Sequence, residues 1–315
     1  MKDPSSISLN GGLTDHDLEL MMHWCSTTYL SISLDSTAEW IWQTIVPQEA
    51  MHHPFLLHGI LALSALDQAH SSNGEIREEH LKVAKRHQTR ATTGLTCIRR
   101  LGDHLSLSAC NAVFAFSCAM IYYTFAYPLL VKPIRSGRTL DELCHALLQI
   151  RESIDIMLQV IDRVKDGELG PLIRKDESRP KMPDTSRLAI LSLRRLNAIL
   201  ASRHPRHETD VYEATMEHLS SALERLAEGG EPTVIAIRWI FRIPSRFIEL
   251  VRERQPFSLV ILAHFAVIMH SLRGHWWMGD WGMNVLEDIG QTLDVEWRQS
   301  ISWAIDATGC HVSYS

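Results

Sequence analysis

The sequence predicts an all-α fold, a single large helical domain. Three observations carry this: apolar residues recur at three- and four-residue spacing from end to end, no alternating strand pattern of useful length interrupts them, and no internal repeat divides them. At 315 residues, a single core of this size buries roughly three quarters of the unfolded chain's surface. The hydrophobic fraction of 45% and charged fraction of 22% are those of an ordinary globular chain.

Residues 1–14, rich in Ser, Asn, Gly and Pro, read as a flexible N-terminus. Thr14-Asp15-His16-Asp17 then offers a cap to a helix whose stripe is Leu18, Met21, Met22 and Cys25. A second helix is expected over 37–45, stopped by Pro47, and a third over 58–68, beginning after Pro54 and ending in the turn residues 70–74. Residues 75–101 alternate charge with apolar residues at helical period, as a half-exposed helix does. Residues 111–127 are apolar on every side, so a buried helix is expected, broken over 128–137 by Pro128 and Gly137. Leu143, Leu147, Ile150, Ile154, Met157 and Ile161 stripe a helix over 140–164. The segment 166–186, with Gly167, Gly170, Pro171, Pro180 and Pro183 among charges, reads as a mobile loop within the domain. Further helices are expected over 188–202, 211–226, 233–241 and 256–272, with the domain spanning 15–303 and a polar tail over 304–315.

Several function classes are disfavoured. With 31 basic and 37 acidic side chains the net charge is −6, which gives no global attraction to nucleic acid or anionic lipid; no direct nucleic-acid partner is expected. The six cysteines, Cys25, Cys97, Cys110, Cys118, Cys144 and Cys310, form no C-x-x-C pair and read as reduced and structural. The N-terminus lacks the apolar and basic stretches of a secretory signal, so an intracellular place, cytoplasmic or nuclear, is expected. The apolar run 112–127 is 16 residues long, short of the ~20 that cross a bilayer, and 257–272 is also short and carries His264 and His270; no membrane span is expected. Gly274, Gly279 and Gly282 follow no strand and match no nucleotide loop, Ser64 sits in no nucleophile elbow, and the seventeen histidines form no metal-binding helix face. His52-His53 and the pair His204 and His207 read as incidental. Asp141-Glu142 is a lone acidic pair at a helix start, not the aspartate cluster of a terpene cyclase. No metal and no cofactor is expected, and no catalytic residue stands out.

The informative region is 256–303. Leu262-Ala263-His264-Phe265 leads into Trp276-Trp277-Met278-Gly279-Asp280-Trp281-Gly282, and Trp297-Arg298 follows. A second block holds Leu18-Glu19-Leu20-Met21-Met22-His23-Trp24, Trp42-Gln43-Thr44-Ile45-Val46-Pro47 and the run from His53-Pro54-Phe55 to Leu66. Together they resemble the effector domain of fungal zinc-cluster regulators of the sterol uptake control type. The resemblance covers about nine tenths of the chain, the middle by pattern more than by motif. It implies a helical domain with an internal apolar cavity near its C-terminal end, which takes a sterol and changes partners or location when the ligand leaves. Two departures stand out. The six-cysteine zinc cluster of such regulators is missing, since only Cys25 precedes residue 97, and Met1-Lys2-Asp3-Pro4 reads as a natural beginning; a free-standing paralogue without a DNA-binding module is expected. Trp303 is followed by Ala304 where the family has proline.

Trp276, Trp277 and Trp281 supply rigid apolar surface, and Gly279 and Gly282 allow close backbone approach or positive φ. Taken alone, such a turn is a tight corner whose indoles fill the core; the resemblance implies a cavity wall. His264, His270 and Asp280 are the polar groups placed to meet a ligand hydroxyl, with Phe265 and Met269 on the same helix. Phe116, Met120 and Tyr123 share a face of the buried helix and line the cavity on this reading, or pack in the core. Two functions follow. In the first, a sterol, terpenoid or similar hydrophobic molecule shifts a conformational or homodimerisation equilibrium. In the second, belonging to fungal secondary metabolism, the pocket holds a terpenoid or polyketide polyene in a near-attack conformation and accelerates a cofactor-free cyclisation of the Diels–Alder kind.

Overall fold

A computed structural model of the protein describes residues 13–99, 105–131, 138–173 and 184–311. They are all-helical, with no strand among them. The chain divides into two compact units, Met1–Ala119 and Met120–Ser315. The division falls inside one helix and not in the expected loop 166–186. Of that loop, 166–173 are turn and the short 3-10 helix Gly170–Leu172 and 184–186 already belong to a long helix, while 174–183 lie outside the described residues, as do 1–12 of the expected N-terminal segment.

The first unit opens with α1 (Asp15–His23). Thr14 Oγ1 accepts from the Asp17 N–H while the Asp17 carboxylate accepts from the Thr14 N–H, the reciprocal cap that residues 14–17 announce. A five-residue π-helical stretch, Trp24–Thr28, leads to α2 (Tyr29–Ile32), and α3 (Ser36–Trp40) begins on the Asp35 side chain. Pro47 does not stop the next helix. A second π-helical stretch, Ile41–Ile45, runs into α4 (Val46–His52), which holds Pro47 in its first turn. A first-turn proline lacks only an N–H that the helix start leaves without a partner, so the chain continues. Pro54 likewise opens α5 (Pro54–His70), followed by α6 (Gly74–Arg99).

α7 (Leu107–Val131) is 25 residues long with a mean hydropathy of 1.5, enough to cross a membrane by length and composition alone. In its most apolar window, 72% of the residues are buried within the protein. Glu49 of α4 clamps its start: the carboxylate accepts from Ser108 Oγ at 2.5 Å and Asn111 Nδ2 at 3.1 Å, and His53 Nε2 lies 2.8 Å from the same hydroxyl. His53 is thus a packing partner, which its neighbour Pro54 did not reveal. The expected break at Pro128 also does not fall there, since Pro128 lies within α7 and 132–137 are outside the described residues.

The second unit continues with α8 (Thr139–Val164), α9 (Asp184–Arg203), α10 (Thr209–Ala227), α11 (Pro232–Arg242) and α12 (Ser245–Arg252). After them come α13 (Pro256–Ser271), α14 (Trp281–Thr292), α15 (Val295–Arg298) and α16 (Ser302–Thr308). α13 is apolar all round because neighbours surround it: α10, α11, α12, α14 and α16 all pack against it. The start of α8 is secured from far away, as buried Asp288 of α14 accepts from the Leu140 N–H at 2.9 Å. α16 carries the helix past Trp303, ending on Gly309 in the left-handed conformation.

Candidate functional site

In the second unit one face of α9 meets the chain around Trp303 across a cleft of about 340 Å³. Leu188, Ala189, Leu193 and Leu196 of α9 give it an apolar wall, and Gln299, Ser300 and Ser302 edge it. The α9 residues follow helical spacing, so one amphipathic face builds the wall. His264 of α13 also lines it, 2% exposed, its ring stacked on Trp303 at 5.2 Å between centroids and 10° between planes.

His264 has a defined protonation state. Its Nδ1 lies 2.8 Å from the Val260 carbonyl, which can only accept, so Nδ1 carries the proton. Burial lowers its pKa to about 4 despite that bond. At neutral pH the ring is therefore uncharged and Nε2 is an acceptor, in a lining of hydrocarbon, hydroxyl groups and the Gln299 amide. An apolar molecule with one hydroxyl complements this arrangement.

Of the residues expected at a ligand site, His264 lines this cleft; the others are placed elsewhere. Trp281 is fully buried, its indole edge-on to Phe125 at 6.2 Å and its N–H donating to the Phe125 carbonyl at 2.9 Å. That carbonyl lies three residues before Pro128, whose ring crowds the preceding turn. Trp277 is buried edge-on to Tyr122 at 4.9 Å, and its N–H has no partner among the described residues. Trp276 is half-buried and Asp280 exposed at the start of α14. Gly279 has φ +44°, and a Cβ on Gly282 would lie 2.5 Å from the His270 nitrogen, so α14 crosses α13 at a distance only glycine allows. Phe265 stacks on Trp239 at 3.7 Å, and Met269 is buried on the same helix. His270 is half-buried, 3.9 Å from Cys310 Sγ, and burial followed by Arg273 lowers its pKa.

Met120 and Tyr123 are buried in the second unit. The Tyr123 hydroxyl is a buried donor without a partner among the described residues, and burial, then the stacked Tyr127, raises its pKa. Phe116 belongs to the first unit, edge-on to Phe55 at 5.7 Å. The α9 wall was not singled out from the sequence. Its signal is the small and apolar set at 185, 188, 189, 192, 193 and 196, which reads as an ordinary packing face. No three His, Cys, Asp or Glu side chains converge as a metal would need among the described residues.

The fold and cleft define a class: an all-helical protein with a small apolar pocket edged by hydroxyl groups and a neutral imidazole. No family model matches the chain. Over 75 residues it is 33% identical to sterol uptake control protein 2 of Candida albicans, a stretch that takes in 24% of this chain and 10% of that protein.

Proposed function

We propose that the chain is a regulator-type domain that binds a hydrophobic small molecule of the sterol, terpenoid or polyketide class inside the cell, through one hydroxyl that donates to His264 Nε2. The observation that carries this reading is the cleft itself, whose apolar wall closes over a buried, uncharged acceptor. The similarity to a fungal sterol uptake control protein supports it. Ligand pockets span roughly 300–1,000 Å³, so the volume favours ligands at the small end of that range.

The test is titration of the purified chain with farnesol, its hydrocarbon counterpart farnesene, and a fluorescent sterol. Ser192→Trp, which fills the cleft from an exposed position, should abolish binding. His264→Phe keeps the ring stack and should weaken the alcohol about tenfold while leaving the hydrocarbon unchanged. Binding that survives Ser192→Trp would sink the proposal. Accelerated cyclisation of a bound polyene would replace it with the cyclase reading.

A further inference from the structure

The two walls of the apolar cleft are held differently. The wall that carries His264 belongs to α13, which five other helices surround, and Trp303 of α16 stacks on the imidazole. The opposite wall is α9, whose main packing partner among the described residues is α10. These two helices form a helical hairpin joined by residues 204–208.

The ties between them gather in the C-terminal half of α9. Asn197, 2% exposed, donates from Nδ2 to the Thr209 carbonyl at 3.3 Å, and its Oδ1 lies 2.6 Å from His207 Nε2. Arg194 meets Glu213 at 3.1 Å, an exposed pair of the kind that contributes little. The earlier turns of α9 face the cleft through Thr185, Leu188, Ala189 and Ser192. There Leu188 is 60% exposed, and Leu191 beside it is 52% exposed. A helix packed along one edge and anchored near one end opens locally more readily than one enclosed on all sides, as α13 is.

We propose that the first half of α9, residues 185–193, is the element that responds to the ligand: a molecule in the cleft touches α9 on one side and His264 and Trp303 on the other, and so ties this half to α13 and α16. The inference rests on the binding reading above and names the regulated element of that same site. An apolar ligand contributes most at the wall that is least covered, because it takes Leu188 out of water, whereas His264 is already buried. Occupancy therefore shifts α9 from a mixture of docked and loosened positions toward the docked one. Leu191 and Ile199 lie on an exposed flank of the same helix, so a surface outside the cleft follows its occupancy.

Amide hydrogen exchange of the full chain, with and without saturating farnesol, tests this. Without ligand, the amides of 188–193 should exchange at least tenfold faster than those in the middle of α13. Farnesol should slow 188–193 at least tenfold and leave α10 and α13 within about twofold. Asn197→Ala removes the anchor without touching the cleft lining. With helical circular dichroism retained, it should weaken farnesol binding about threefold to tenfold, since more of the chain then starts in the loosened state. Farnesol that binds while exchange over 188–193 is unchanged, or slows no more than over α13, overturns the inference and leaves the binding site standing. Equal binding by Asn197→Ala also overturns it. Absence of farnesol binding overturns the binding reading itself, and this inference falls with it.

Discussion

A neutral histidine inside a folded chain is a pH-dependent contribution to stability. His264 and His87 both have pKa values lowered to about 4, the first by burial and the second by burial followed by His58. His87 also stands 3.1 Å from Asp17 Oδ1 and 3.0 Å from His58 Nδ1. In the unfolded chain both titrate near 6.5. Below that value the unfolded state takes up protons that the folded state refuses. Their contribution is complete above pH 6.5 and is lost as pH falls toward 4, at about 1.4 kcal/mol per pH unit for each histidine. Urea denaturation between about pH 7 and about pH 5 should show this slope, and His264→Phe should flatten it. An unchanged slope would mean that His264 does not titrate as its surroundings dictate. In the sequence, His264 was legible as a polar group in an apolar helix, whereas His87 lay hidden among charged neighbours on a half-exposed one.

Elements were legible where their signal is local. The reciprocal cap at residues 14–17 and the stripe of α8 follow from spacing alone. Pro47 and Pro128 misled for different reasons, the first local and the second tertiary. A π-helical stretch leads into the first, and a helix packed within the protein carries the second. α14 was hidden because its first two residues, Trp281 and Gly282, read as a turn, though they are where it crosses α13. That crossing gives a paired prediction. Gly282→Ala drives a methyl into the His270 backbone and should cost about 1–3 kcal/mol or more. Gly274→Ala, eight residues earlier with nothing within 4 Å, should be close to neutral. Equal stability of the two variants in urea denaturation would remove glycine as the reason for the close approach.

For the whole chain, the cysteines give the plainest expectation. None of Cys25, Cys110, Cys118, Cys144 and Cys310 is in a disulfide, and the sequence holds one further cysteine. Thiol titration of the denatured protein should therefore count six per chain whether or not reductant was present. In the native state burial pushes the thiol of Cys144 up to about 11, so it should react only on unfolding. Rapid native labelling of Cys144 would contradict its burial. At this scale composition and period announced an all-helical protein, but not the division inside α7. That boundary falls in an uninterrupted apolar helix with no linker composition to mark it. The cleft was hidden for a related reason: α9 and Trp303 stand more than a hundred residues apart, and no local pattern joins them.

The cap on α8 has a consequence for synthesis. Its amide at Leu140 waits for a carboxylate at Asp288, 148 residues later. At the ~5–20 residues per second of translation, the start of α8 leaves the ribosome on the order of ten to thirty seconds before its partner exists. During that interval a nascent chain must carry the uncapped start of α8 through solvent, or through the hands of a chaperone.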